Sequence, residues 1–176
     1  MNDLILVIGG TNQGKSYYIK ECIQSPEVPC FVYDVQNCYG NSSTKEGDLI
    51  LNLPIGTTDR RCRWFGNKNE FIQLALLRKN TTIVIEEATI FFEGKTEEAT
   101  RELIVNKHHD RNNIIFMFHS INAVPPRIAE MADKVVLFKT GDQVKNIERK
   151  FASYLPYFNS LKNKPDRTKI IFKNIQ

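Results

Sequence analysis

Residues Gly9, Gly10, Thr11, Asn12, Gln13, Gly14, Lys15 and Ser16 match the phosphate-binding pattern G-x-x-x-x-G-K-[ST] at every fixed position. The chemistry dictates this order. Glycines let backbone N–H groups turn inward around an anion, and the N-terminus of a following helix adds a favourable dipole. Lys15 would reach the β- and γ-phosphates of ATP, and the Ser16 hydroxyl would ligate Mg²⁺. With Tyr17 on the first helical turn, Gly9 to Tyr17 is the expected nucleotide-binding stretch.

A second acidic element is Ile83-Val84-Ile85-Glu86-Glu87. Carboxylates at the C-terminal end of a buried strand sit where ligands bind in open parallel sheets. Such a pair suits metal binding by Glu86 and activation of an attacking water by Glu87. The first acid of such pairs is usually Asp, so Glu86 reaches one methylene further. Two other features invite chemistry. His108-His109 are adjacent and have no partner at ligand spacing, which argues against a metal site. Trp64, between Arg63 and Phe65, could stack on a base, but packing on a sheet explains it better.

These residues need a scaffold, and the hydrophobic pattern supplies one. Short apolar runs alternate with helical stretches, the signature of an α/β fold with a mostly parallel central sheet flanked by helices. Expected strands are Leu4 to Ile8, Cys30 to Tyr33, Thr81 to Ile85, Ile114 to Phe118 and Lys134 to Phe138. A helix should run from Lys15 to about Gln24. Asn69 is a plausible cap for a helix through Phe71 and Leu77, and Thr96 for one through Leu103 and Ile104. Pro125-Pro126 opens a short helix to about Ala132. Two strand-like pieces, Asp48 to Leu53 and Arg61 to Phe65, read as a peripheral hairpin. Beyond them, helical spacing at Ile147, Phe151, Tyr154 and Leu155 runs to Pro156, and Ile170 to Phe172 reads as a last strand or an extended tail.

The 176 residues suit one domain, 1–176, with a basic C-terminal extension from about residue 141. No apolar run spans a bilayer and no signal peptide is evident, so membrane insertion is not expected. Cys22, Cys30, Cys38 and Cys62 lack paired spacing and read as free thiols of a cytoplasmic protein. Net charge is +4 but uneven: residues 134–176 hold ten Lys or Arg against three Asp or Glu. That concentration fits a polyanionic partner. Lys145, Arg149 and Lys150 could share a helical face, with Lys162, Lys164, Arg167 and Lys169 in a flexible basic tail.

The phosphate-binding loop, Asp34 ending the second strand, the Glu86-Glu87 pair and the strand ending Phe118-His119-Ser120 together resemble the FtsK/HerA group of DNA-pumping ATPases. The stretch from Ile121 to Ala129, with its proline before a short helix, is similar to that group's segment after the polar sensor. The pattern also looks like the phage assembly ATPases of the zonular occludens toxin type. A core of this size resembles viral genome-packaging ATPases. The resemblance covers roughly residues 3–140 and implies an ATP- and Mg²⁺-dependent motor. It also implies a homo-oligomeric ring, hexamer or pentamer, acting on DNA and docking on capsid or vertex proteins, in the host cytoplasm or the virion. His119 and Ser120 stand where the group usually has an amide sensor. Arg111 is the candidate finger acting in trans, with Arg101, Arg60 and Arg61 as competitors. A phage extrusion ATPase and a small P-loop kinase are the alternatives, the kinase requiring an Arg-rich lid.

Overall fold

The computed structural model describes residues 2–40 and 51–173. Its centre is a seven-stranded sheet of β1 (Leu4–Ile8), β2 (Cys30–Tyr33), β3 (Arg61–Trp64), β4 (Thr82–Ile85), β5 (Asn113–Phe118), β6 (Lys134–Phe138) and β7 (Lys169–Lys173). The order is β3-β2-β4-β5-β1-β6-β7, parallel throughout except for β7, which runs antiparallel to β6. The inner strands are apolar on both faces because both faces are covered. In β1, Leu4, Leu6 and Ile8 enter one buried cluster while Val7 enters the other.

α1 (Lys15–Ile23) covers one face, contributing Ile19 and Ile23. α2 (Lys68–Leu76), α3 (Thr96–Asn106), α4 (Pro126–Met131), α5 (Val144–Lys150) and α6 (Leu155–Leu161) cover the other. The expected strands and crossover helices are therefore present, within a residue or two at their ends.

Four local expectations are corrected. The Arg61 to Phe65 piece is no peripheral hairpin: β3 lies in the main sheet, parallel to β2. Its arginines are tied down. Arg61 donates to the carbonyls of Ile23 (2.8 Å), Val28 (2.7 Å) and Ser25, closing the C-terminal end of α1. Arg63 pairs with buried Asp34 at 3.1 Å and donates to Leu53 O at 2.9 Å. Of the other expected piece, Asp48 to Ile50 lie outside the described residues, and Leu51 to Leu53 form no strand. Trp64 packs against the core, so the stacking role is not supported.

The second correction moves the cap of α2 from Asn69 to Asn67, whose side chain accepts from the Asn69 N–H at 2.8 Å. Third, Thr96 is already helical. Its hydroxyl donates backwards to Glu93 O at 3.1 Å, and Lys95 holds the capping position. Fourth, Pro156 does not stop a helix; it sits in the first turn of α6, where its missing N–H costs nothing. The chain breaks instead after α5, and α6 then carries it to β7, so the segment beyond residue 141 completes the sheet.

Candidate functional site

The loop between β1 and α1 hangs from the ends of two neighbouring strands. Gly9 N–H donates to Phe118 O at 3.1 Å, and Gly10 N–H to Lys139 O at 2.7 Å. A side chain at Gly9 would meet Phe138 Cβ at 2.6 Å, so only glycine lets the loop pass. Gly14 has φ 96°, a left-handed conformation that also selects glycine. α1 starts there with no side-chain cap and no acid in its first turn, leaving its N-terminal N–H groups for an anion.

Beside the loop lies a cleft of about 600 Å³. Thr11, Asn12, Gln13, Gly14, Lys15, Ser16 and Tyr17 line it together with Glu86, Glu87 and His119. The Lys15 ammonium donates to Gly9 O at 2.7 Å and Gly10 O at 2.8 Å. Burial lowers its pKa, against the opposing pull of Glu86 and Glu87.

The strand order explains why distant residues meet. β5 lies between β1 and β4, so His119, just past the end of β5, stands between the loop and the acidic pair. His119 Nε2 is 2.8 Å from Glu87 Oε2, and Nδ1 is 3.5 Å from Lys15 Nζ. Glu87 is held in left-handed backbone, φ 51°, directly after β4. The imidazole thus bridges the loop lysine and the half-buried Glu87.

Glu86 faces a different environment and is only 4 % exposed. Burial, with a smaller push from Asp34, raises its carboxyl to about 7, while the Gln36 backbone and the hydroxyls of Tyr39 and Ser16 pull it down. One carboxylate oxygen, Oε2, is buried with no hydrogen-bond partner. A buried, unpartnered carboxylate oxygen beside a serine hydroxyl fits a hard divalent cation such as Mg²⁺. Ser16 and Glu86 are the residues that would hold it.

Asp34 and Cys38 offer ligand atoms within 4.8 Å of those of Glu86, but Asp34 is engaged by other donors and Cys38 is a soft thiol. Asp34 already accepts from Cys38 N–H (2.7 Å), Tyr39 N–H (3.1 Å) and Arg63 (3.1 Å). Burial pushes the Cys38 thiol up to about 11, leaving it protonated. The influence of Asp34 on Glu86 has no signature in sequence beyond its place at the end of β2.

The remaining site expectations divide. Ser120 does not join the cleft; its hydroxyl accepts from Ala123 N–H at 3.2 Å and caps the turn 121–123. Arg111 sits before β5, opposite the cleft by the length of that strand, about 20 Å at about 3.3 Å per residue. It cannot serve the site of its own chain. Arg60 donates to Glu27 O and Arg101 pairs with Glu97 one helical turn away. Arg61 is engaged on the C-terminal end of α1.

The expected flexible basic tail is corrected in part. Lys169 lies in β7 and, with Arg167, lines the cleft. Lys169 pairs with Glu21 at 3.2 Å and sits 4.5 Å from the Tyr18 ring centre, pinning β7 to α1.

Loop, cleft and strand order define the fold of a P-loop NTPase. Among solved structures, the chain is similar to the genome packaging NTPase B204 from Sulfolobus turreted icosahedral virus 2. The complex with AMPPCP aligns at TM-score 0.74 and 17 % identity, over 98 % of this chain and 92 % of that one. B204 described as the DNA-packaging ATPase from Sulfolobus Turreted Icosahedral Virus gives TM-score 0.73, 16 % identity and the same coverage. The N-terminal domain of zonular occludens toxin from Neisseria meningitidis is a weaker match, at TM-score 0.44 over 79 % of this chain. No protein-family model matches the sequence, and no curated protein matches it. Among the described residues, no helix is long and apolar enough to cross a membrane.

Proposed function

We propose that this protein is an ATP-hydrolysing motor that translocates DNA, of the genome-packaging kind. The observation that carries the ATP-hydrolysing part of this reading is the placement of His119 between Lys15 and Glu87 at the mouth of the phosphate loop. Lys15 and the loop N–H groups would hold the phosphate chain, exchanging the Gly9 and Gly10 carbonyls for phosphate oxygens. Mg²⁺ at Ser16 and Glu86 would supply charge neutralisation on the β- and γ-phosphates. Glu87 would take the proton of the attacking water, and His119 would hold that carboxylate in place. Since Arg111 lies at the far end of its own sheet, its charge serves the reaction only in a ring, where one subunit faces the next. The similarity to B204 supports the packaging assignment, and capsid or vertex proteins are then the expected docking partners.

DNA-stimulated ATP hydrolysis tests the reading. Turnover should rise with double-stranded DNA, and the stimulation should fall steeply with salt, as phosphate contacts release counterions. Turnover that ignores DNA at every salt concentration would remove the translocation reading, and absence of turnover together with absence of ATP binding would remove the ATPase.

A further inference from the structure

The C-terminal return from α6 to β7 brings a second cation to the phosphate loop. Arg167 has left-handed backbone, φ 65°, and its N–H donates to the Gln13 side chain at 3.3 Å. A Cβ placed on Gly14 would lie 3.6 Å from the Arg167 Cβ, so the residue packs directly on the loop. Its neighbours are committed elsewhere: Asp166 pairs with Lys139 at 3.2 Å, and Lys169 with Glu21. Among the described residues the Arg167 guanidinium has no hydrogen-bond or ion-pair partner, yet it lines the cleft.

Strand order sets the electrostatics. Glu86 and Glu87 follow β4, two strands from β1 on one side, while Arg167 precedes β7, two strands away on the other. An anion on the loop therefore has carboxylates, and any cation they bind, on one flank and a guanidinium on the opposite flank. We propose that Arg167 is a nucleotide-binding residue acting in cis, which grips the phosphate chain from the β6–β7 side. A planar guanidinium is the side chain best suited to bidentate phosphate contact. The inference rests on the reading of the cleft as an ATP site. It also gives part of the basic C-terminal charge a role other than DNA.

Calorimetric binding of AMPPCP, adenosine and inorganic tripolyphosphate to the full chain tests it. R167N removes the guanidinium with a residue that tolerates left-handed backbone, and R167K keeps the charge without the fork. R167N should weaken AMPPCP and tripolyphosphate by about tenfold or more, with R167K intermediate and adenosine unchanged. Thermal midpoints within a few degrees of wild type would confirm that the fold persists, and R167K carries the same test if R167N does not fold. Wild-type affinity in R167N, with binding lost in K15A, would overturn the proposal and leave the ATP site standing. Failure of wild type to bind either phosphate compound would overturn both. Loss of adenosine binding with tripolyphosphate unaffected would place Arg167 on the base and refute the phosphate assignment.

Discussion

Glu86 offers a test of the cleft that needs neither nucleotide nor metal. Its carboxyl is raised from 4.5 to about 7, chiefly by burial and secondarily by Asp34. Below pH 4.5 the group is protonated in folded and unfolded chains alike and costs nothing. Between 4.5 and 7 the unfolded chain releases the proton while the folded chain retains it, so stability falls as pH rises through that window. Above 7 the folded protein carries a buried carboxylate, and the penalty levels off at about 3 kcal/mol, from about 1.4 kcal/mol per pH unit. Glu86→Gln keeps the shape and cannot ionise. Urea unfolding of wild type and variant in chelator, from pH 4.5 to 8, isolates the term as a difference curve. The variant should gain relative stability with rising pH, by about 3 kcal/mol in all, with most of the change between pH 5 and 7. A flat difference curve, or one of opposite slope, would refute the burial argument and the cation site built on it.

Other outcomes follow from single contacts. Glu87→Gln should retain ATP affinity and slow hydrolysis by about 100-fold or more in single-turnover assays; normal turnover would dismiss Glu87 as the base. His119→Ala should lower kcat at least about tenfold with ATP affinity within about twofold, because it positions Glu87 without holding phosphate. Arg63→Met leaves Asp34 charged at 0 % exposure and should cost about 3–5 kcal/mol in urea unfolding; a loss under about 1 kcal/mol would mean the pair contributes little. Mixing Arg111→Ala with Lys15→Ala subunits should restore part of the activity if the arginine acts across an interface; full activity of Arg111→Ala alone would return it to the surface.

The phosphate loop was legible in sequence because every requirement on it is local. A glycine for the close approach to Phe138, a glycine for φ 96°, a lysine and a hydroxyl must fall at fixed spacing between one strand and one helix. The inner strands were legible too, since burial on both faces demands continuous apolar runs. Edge strands carry no such demand. β3 was misread because its charges are neutralised by Asp34 and by the carbonyls at the end of α1, partners invisible along the chain. In the same way, Ser120 and His119 are equivalent neighbours in sequence. Only the turn that consumes the Ser120 hydroxyl, and the place of β5 between β1 and β4, single out His119. Arg167 is the extreme case. Nothing local distinguishes it from the other basic residues of a polar loop, and it reaches the phosphate loop, 154 positions away from Gln13, only because β7 turns back along β6. Spacing along the chain determined which groups could bind a phosphate; the order of strands decided which distant charges surround it.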